Sequence, residues 1–475
     1  MIIAPPITAI KDLSSAIRGQ AFPAHPHFPQ LKTACDPASM LEIFRANLRP
    51  TDEKVQIQAC APVKLRLRNS GARCLLQYVL RLVGSNGTRS NAWVTCVIYA
   101  QPGEAEKAWT EQSAADSLRT IPASLLAFEP LALIPDLQML VQVFPHDRLI
   151  PNLPAVVGGP WPELERLLLH SLGPGQWRLD QQTVEPLRYL AGDTAVLRYT
   201  LTFQNPAEAA RQIKRFYVKV YRTRHGADVF RLLRSAREEH GSGGEQFAVV
   251  EPLTYCAERR CLVLHEAPGR SLQEVLLGPG DPLRAVRGVA LALAAFHQSG
   301  IPATSRRSAE EQVGFLNRAA ELLCWACPAS SGLITALVEE VGAGLGDVPA
   351  VPIHWDLKSD HIFIGPDRVL FVDLDTVCLG DPARDPAHLA AHIACRIDLP
   401  HLPAQLARSC AQGLVEEYFA HVPDSWREQF NLQYVIAALE AACGLFKRQE
   451  SGWPERAAAA IEEAGRALSN GAAGR

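Results

Sequence analysis

The chain of 475 residues is long enough for about three domains, and its 48% hydrophobic and 20% charged residues exclude a disordered chain. A formal net charge of −3 provides no long-range field for nucleic acid or an anionic membrane, so neither is expected as a partner. The N-terminus lacks the basic start of a secretory signal, and no apolar run approaches the length of a membrane span. We therefore predict a cytoplasmic protein.

Residues 1–54 are interrupted by prolines, and we expect little more than a leader segment there. One stretch within them, "ASMLEIFRANL", has the period of a helix. Its apolar face would carry Met40, Ile43, Phe44 and Leu48.

Two later stretches, residues 55–165 and 177–270, share one order of predicted strands. Each contains a strand, a small turn with a glycine and a second strand, followed by a further apolar strand. A single offset aligns Leu65 with Leu187 and holds without a gap through both stretches. We interpret the pattern as an internal duplication.

The two copies differ at one position of chemical interest. The strand "YVKVY" of the second copy contains Lys219, whereas the first copy has Val97 at the aligned place. A lysine in a strand can simply be an exposed residue of an alternating pattern, and that interpretation stays open.

From about residue 285 the apolar pattern changes to the 3.6-residue period of helices. The CxxC pair Cys324 and Cys327 lies in this part, without two further ligands for zinc, so we expect buried structural thiols. A strand-rich part followed by a helix-rich part, residues 271–475, predicts an α+β fold with a ligand cleft.

The stretch "HWDLKSDHIFIGPDRVLFVDLD", residues 354–375, interrupts the helices with carboxylates and histidines around short apolar strands. It predicts a polar loop, a strand, a turn and a second strand that returns Asp373 to the loop beside Asp356. In a regular strand Asp373 and Asp375 would face opposite sides, so at most one of them would reach a metal ion.

Two carboxylates at one loop suit phosphoryl transfer. The reaction needs one carboxylate to position the attacking hydroxyl and accept its proton, and ligands for a metal that neutralises the transferred group. Asp356 and Asp373 fit these two roles, and Mg²⁺ needs only one or two protein carboxylates. An acidic hairpin without such a role is the alternative.

The motif "HWDLKSDH" resembles the catalytic loop of the protein-kinase-like superfamily. The following "DLDTVCLGDPARDPAHLA" resembles the metal-binding segment of its aminoglycoside phosphotransferase and choline kinase branch. The resemblance implies that Asp356 is the catalytic aspartate, Asp373 the chief Mg²⁺ ligand and Asp385 a carboxylate that braces the loop. It also implies that Lys358 contacts the γ-phosphate of ATP.

The resemblance extends over roughly residues 180–450 and implies a two-lobe kinase-like fold with an antiparallel-sheet N-lobe, preceded here by a degenerate duplicate. It implies that Lys219 holds the α- and β-phosphates and that backbone groups near Glu266 bind adenine. The turn in "YLAGDTAV" stands where a hairpin covers the phosphates.

Two features depart from that family's pattern. His361 stands where the family has asparagine, and it could contact metal, bind a phosphate oxygen or hydrogen-bond Asp356. The family also pairs its strand lysine with a helix glutamate, for which this chain offers the candidates Asp228, Glu238 and Glu239.

The residues predict metal-assisted phosphoryl transfer, and the resemblance implies an ATP- and Mg²⁺-dependent kinase of a hydroxylated metabolite such as a sugar, amino sugar or amino alcohol. The alternative is a pseudokinase that binds nucleotide or a partner without transfer. Neither the identity of the acceptor nor the oligomeric state follows from the sequence.

Overall fold

A computed structural model describes residues 22–67, 72–84, 87–114, 118, 121–207, 210–240, 246–303 and 305–473. Residues 1–21 of the expected leader lie outside this part. The chain divides into two compact units, the first comprising Met1–Ala227, Leu253–Glu266 and Lys447–Ser451, and the second the remaining residues. Among the described residues, no helix combines the length and the apolar character that crossing a bilayer requires. The domain boundaries expected at residues 54, 165, 177 and 270 stay predictions.

The first unit begins with two helices and a five-stranded sheet. Its first elements are α1 (Leu31–Ala34), α2 (Pro37–Asn47), β1 (Gln56–Leu67), β2 (Arg73–Val83), β3 (Arg89–Tyr99), α3 (Glu104–Ser113), β4 (Leu131–Ile134), β5 (Met139–Val143), α4 (Leu153–Val157) and α5 (Pro162–His170). The strands hydrogen-bond in the order β1-β2-β3-β5-β4, and neighbouring strands are antiparallel.

Helix α2 confirms the helical period predicted near the N-terminus. Asp36 caps it by accepting a hydrogen bond from the backbone N–H of Ser39, with Pro37 at the first helical position. The hydroxyl of Tyr78 in β2 donates to the carbonyl of Ala34, so these helices are tied to the first sheet. Residues 31–47 therefore pack against the first sheet, and the leader boundary expected at residue 54 stays a prediction.

The next elements include the five strands of a second sheet, together with α6 and β9. They are β6 (Arg178–Leu190), β7 (Thr194–Asn205), β8 (Ala210–Tyr221), α6 (His225–His240), β9 (Phe247–Val249), β10 (Pro252–Cys256) and β11 (Cys261–His265). The strand order is β6-β7-β8-β11-β10, the same order as in the first sheet when the strands of each are counted along the chain. Along β7 buried residues alternate with partly exposed ones over most of its length, as the predicted period of two requires.

Lys219 and Val97 occupy equivalent places in the two sheets. Val97 in β3 pairs with Leu140 of β5. Lys219 in β8 pairs with Leu262 of β11. The offset read from the sequence therefore also aligns strand register.

The second unit is mainly helical and contains two small sheets. Its remaining elements are β12 (Arg270–Ser271), α7 (Leu272–Leu277), α8 (Pro282–His297), α9 (Ala309–Ala326), α10 (Ser331–Gly344), β13 (Val351–Ile353), β14 (Ile362–Ile364), β15 (Val369–Phe371), β16 (Cys378–Gly380), α11 (Arg384–Ala394), α12 (Ala404–Phe419), α13 (Phe430–Arg448) and α14 (Trp453–Ala473). One sheet has the order β12-β14-β15-β9, and β13 pairs with β16.

Cap residues and burial explain where these helices begin and how they pack. Ser271 with Glu274, and Ser308 with Glu311, form capping boxes at α7 and α9. Helix α13 is buried on almost every side between residues 432 and 446, which is typical of a central core helix. An α+β architecture with antiparallel sheets and a helical part is thereby confirmed.

None of the twelve cysteines forms a disulfide. Cys324 and Cys327 are only partly buried, so the expectation of buried thiols there is wrong in degree. Burial, reinforced by Cys324, raises the pKa of Cys327, which makes it a poor nucleophile at neutral pH.

Candidate active site

The predicted loop and hairpin form in the second unit. β13 ends at Ile353, and β14 and β15 are antiparallel, with Ile362 opposite Phe371. The second strand ends at Phe371, so the expectation that Asp373 lies in a regular strand is wrong. Asp373 instead has a left-handed backbone, with φ 61° and ψ 47°, at the start of a short 3-10 helix. Aspartate is one of the few non-glycine residues enriched in this conformation.

Asp356 and Lys358 form an ion pair in the loop. Lys358 Nζ lies 2.8 Å from Asp356 Oδ2, and the two side chains are 20% and 35% exposed. Burial acts to raise the pKa of the Asp356 carboxyl, but the charge of Lys358 outweighs burial and lowers that pKa below its ordinary value. Asp356 is therefore an ionised carboxylate that a substrate hydroxyl could approach.

His361 connects the loop to Asp373. Its Nδ1 lies 2.9 Å from the carbonyl oxygen of Asp356, which can only accept, so Nδ1 carries the proton. Burial lowers the pKa of His361, so the ring is neutral near pH 7 and Nε2 carries a lone pair. The Nε2 atom lies 3.4 Å from Asp373 Oδ2. Two acceptors at this distance favour a proton or a cation between them.

The pair His361 and Asp373 fits a divalent ion that takes its other ligands from phosphate and water. In the described part of the chain, no group of three or more His, Cys, Asp or Glu residues could hold a metal by itself. Mg²⁺ commonly uses one or two carboxylates together with substrate phosphates. The imidazole nitrogen suits Mn²⁺ or another softer ion better than Mg²⁺.

Asp385 holds the loop from below. Its carboxylate is fully buried and accepts hydrogen bonds from the backbone N–H groups of His354, at 2.6 Å, and Trp355, at 2.8 Å. His297 Nε2 lies 3.0 Å from the same carboxylate. Trp355 has a φ of 73°, an uncommon value for a bulky residue, which these contacts hold in place next to Asp356. The contacts confirm that Asp385 braces the loop.

His388 was missed in the sequence. It follows Asp385 by one helical turn in α11, so the two side chains share a face of the helix. Its Nδ1 lies 2.9 Å from the carbonyl of Leu357, and its Nε2 lies 3.9 Å from Asp356 Oδ1. The spacing of Asp385 and His388 in "RDPAHLA" was the available signal, although only the folded loop shows that both reach it.

The burial of His388 predicts a pH-dependent contribution to stability. Burial and the charge of Arg384 lower its pKa to about 4, from an ordinary value of 6.5. The unfolded chain therefore binds this proton at a higher pH than the folded chain, and stability is lost as pH falls from about 6.5 to 4. At pH 5 we expect a cost of about 2 kcal/mol.

Urea unfolding of the wild type and of His388→Asn at pH 7 and pH 5 measures this cost. The variant should lose about 2 kcal/mol less between the two pH values than the wild type. An equal loss in both proteins would show that the imidazole does not titrate as proposed.

The predicted nucleotide residues lie in the first unit. Lys219 is partly buried in β8, and its Nζ is 5.7 Å from the centre of the Tyr221 ring. Glu266 follows β11, and its carboxylate lies 3.5 Å from Arg215 Nη1. The turn between β6 and β7 falls at Gly192, which has a φ of 69°.

Two candidate partners of Lys219 make contacts within their own helix. Asp228 pairs with Arg231 and Glu238 with Arg234. The side chain of Glu239 lies outside the described residues. The predicted lysine–acid pair therefore stays a prediction.

A polar cavity lies beside the loop in the second unit. Its cavity volume is only about 10 Å³, room for roughly one water molecule, and the rest of the depression is open to solvent. The indole of Trp355 lines one side, stacked with the guanidinium of Arg307 at 5.6 Å. Asp381 lines it as well and accepts a hydrogen bond from Gln433 over 2.8 Å. An aromatic face with hydrogen-bonding groups of both kinds suits a hydroxylated small molecule.

Comparison with known proteins gives one family match. A model of the phosphotransferase enzyme family, APH, matches residues 176–442, more than half of the chain. No curated protein sequence matches significantly.

The solved structures that match this chain include three kinases of small molecules. A choline kinase from Streptococcus pneumoniae is 14% identical, with 65% of this chain and 98% of that chain covered and a TM-score of 0.39. An ethanolamine kinase from Plasmodium vivax is 12% identical, with 68% and 95% covered and a TM-score of 0.38. An ADP-bound aminoglycoside phosphotransferase is 12% identical, with 63% and 96% covered and a TM-score of 0.36.

Proposed function

The chain belongs to the phosphotransferase enzyme family and is a small-molecule kinase with a hydroxyl acceptor, and from this premise we propose that Asp356 is its catalytic base. The observation that carries the proposal is the loop geometry. Asp356 is ionised and in contact with Lys358, and His361 links its backbone to Asp373. Buried Asp385 fixes the loop from the other side.

In the proposed reaction Asp356 accepts a hydrogen bond from the acceptor hydroxyl and orients its oxygen in line with the γ-phosphorus of ATP. The new P–O bond forms as the bond to the β-phosphate oxygen breaks, so ADP leaves, and the hydroxyl proton passes to Asp356. A carboxylate with a lowered pKa is a weak base, so Asp356 would mainly orient the acceptor hydroxyl. It would take the proton only once the attacking oxygen has become acidic during P–O bond formation.

Lys358 is proposed to contact the γ-phosphate. An ammonium that shifts from Asp356 towards phosphate would at the same time release Asp356 and raise its basicity. Asp373 and His361 are the residues that would hold a divalent ion, whose charge would offset the negative charge of the phosphates. His361 makes Mn²⁺ a suitable alternative to Mg²⁺.

ATP itself is proposed to use the second sheet. Lys219 would bind the α- and β-phosphates, and backbone groups near Glu266 would bind adenine, as the family resemblance implies. The partly buried position of Lys219 in the central strand β8 supports this assignment.

Lys219→Ala should therefore weaken ATP binding about tenfold, because a charge-assisted contact to phosphate is lost. Lys214→Ala is the matched control, since Lys214 lies exposed on the same strand. Calorimetric titration with ATP measures both. Equal ATP affinity in Lys219→Ala and the wild type would remove Lys219 from the site, and no ATP binding by either protein would favour an interaction scaffold without nucleotide.

The acceptor is proposed to be a sugar, amino sugar or amino alcohol that binds at the solvent-open side of the cavity beside Trp355. Asp381 could bind hydroxyl or amino groups there, next to the indole of Trp355, over whose ring the guanidinium groups of Arg384 and Arg307 lie at 4.8 Å and 5.6 Å. Trp355 precedes Asp356 in the chain, which supports a link between the cavity and the catalytic loop.

Labelled ATP offered with a panel of these acceptors tests the proposal. The wild type should label at least one class of acceptor in a metal-dependent way, and Asp356→Asn should not. ATP binding that ignores metal, together with no transfer across the panel, would instead support the pseudokinase alternative. His361 in place of the family's asparagine is the observation that favours this alternative.

We also propose that the first sheet is a degenerate duplicate of the nucleotide-binding one. The shared strand order and the equivalent register of Val97 and Lys219 support a common origin. Separately, we propose that the protein is cytoplasmic, because of its composition and because its cysteines are free thiols.

A further inference from the structure

The backbone of the turn between β6 and β7 is hydrogen-bonded both within the turn and to neighbouring segments. Asp193 N–H donates to the carbonyl of Leu190 over 3.0 Å, and Arg222 N–H donates to the carbonyl of Asp193 over 2.9 Å. Gly192 N–H donates to the carboxylate of Asp147 over 2.7 Å. A turn with one glycine and these bonds is a fixed structure rather than a flexible flap.

Asp147 lies in the segment that follows the first sheet, and its side chain is hydrogen-bonded to this turn. Its side chain is only 4% exposed. Besides Gly192 N–H, its Oδ2 accepts the hydroxyl of Tyr189 over 2.8 Å. Its Oδ1 accepts the N–H groups of Leu149, over 2.8 Å, and Ile150, over 3.3 Å. A buried carboxylate with four donors is fully satisfied, and removal would leave several donors without an acceptor.

Further residues of the first sheet hold the same turn. Arg66 in β1 donates to the carbonyl of Ala191 over 3.4 Å and lies 3.5 Å from Asp193 Oδ2. Gln77 in β2, which is 2% exposed, donates to the carbonyl of Tyr189 over 3.2 Å. The turn therefore contacts side chains from β1, from β2 and from the segment that follows β5.

Packing reinforces these bonds. The ring of Tyr189 lies 5.6 Å from Trp93 and 5.1 Å from Phe144, measured between centroids. At Gly192 a β-carbon would lie 2.9 Å from Leu149 Cδ1, closer than packing allows without movement, and the positive φ adds strain for other residues. The glycine thus allows the turn to approach Leu149 closely.

We propose that Asp147 is a positioning residue that fixes the β6–β7 turn, so that binding of a nucleoside triphosphate by the second sheet depends on the first. The inference rests on the proposed function, together with the place over the phosphates that the family resemblance implies for this turn. A turn ordered before binding spares the nucleotide the entropic cost of ordering it. The first sheet and the segment after it then support the nucleotide site proposed for the second sheet, although they contribute none of its proposed binding residues.

Asp147→Ala should raise the KM for ATP about tenfold and leave kcat at saturating ATP within about twofold, because the reacting groups are untouched. Hydrogen exchange should accelerate at the Gly192 amide in the same variant. Arg66→Gln, at a residue whose side chain is 33% exposed, should change both quantities in the same direction by a smaller factor.

Tyr78→Phe is the matched control, because it removes a buried hydrogen bond from the first sheet without touching the turn. An equal rise of the KM for ATP in Tyr78→Phe would show a general loss of stability and overturn the inference. Unchanged exchange at Gly192 in Asp147→Ala, or a lower KM for ATP, would overturn it as well. No ATP binding by the wild type would refute the proposed function and the nucleotide role of the turn together. Unchanged hydrogen exchange at Gly192 in Asp147→Ala would refute only the claim that Asp147 fixes the turn.

Discussion

Asp356→Asn should lower the rate of phosphoryl transfer by roughly 10³-fold while ATP affinity stays within about twofold. The amide keeps the size of the side chain but cannot accept the hydroxyl proton. It also loses the ion pair with Lys358, which the carboxylate makes at 2.8 Å. Single-turnover transfer from labelled ATP measures the chemical step, and calorimetry measures ATP binding.

Asp360→Asn provides a matched control for this experiment. Asp360 lies in the same loop, carries the same charge and has a side chain that is 52% exposed. Its replacement should leave the rate within about threefold, because an exposed charge is screened by solvent. A transfer rate for Asp356→Asn within tenfold of the wild type would remove Asp356 from the role of base.

Asp385→Ala should have the second largest effect, through position rather than through chemistry. The carboxylate is fully buried and receives the N–H groups of His354 and Trp355 together with Nε2 of His297. Removal leaves buried donors unpaired and frees the backbone of Trp355 from its φ of 73°. We expect a loss of about 3 to 5 kcal/mol in the free energy of unfolding and a fall in kcat of roughly 10²-fold.

Tyr418→Phe separates these two effects. Its hydroxyl lies 2.7 Å from His297 Nδ1, at the outer end of the same network, and its removal leaves both backbone bonds of Asp385 in place. The variant should lose about 1 kcal/mol and keep kcat within about threefold. Urea unfolding and steady-state kinetics measure both variants. If Asp385→Ala kept the kcat of the wild type, the brace would have no part in positioning Asp356.

The sequence predicted the loop well because its chemistry is local. Asp356 and Lys358 lie two residues apart, and the hairpin that follows is set by a turn and two short apolar strands. The position of Asp373 was predicted less well. Two acids around Leu374 indicate alternation, but the strand ends at Phe371 and the backbone turns left-handed. Strand ends depend on available partners, which the period of two does not report.

Contacts between distant segments were outside the reach of sequence patterns. His388 meets the loop from α11, and Asp147 meets Gly192 from the segment after β5. Each residue is unremarkable in its own neighbourhood and acquires its role only when sheets and helices pack. The buried helix face of α2 was predictable because Met40 and Phe44 follow the helical period.

The most direct test of the central claim, that the loop and the hairpin form one nucleotide–metal site, is the gain in ATP affinity on adding Mg²⁺ or Mn²⁺. Calorimetry with ATP alone and with ATP plus metal gives this gain for the wild type and for Asp373→Asn. We predict a gain of about tenfold in the wild type and its loss in the variant. The same gain in both proteins would contradict the account.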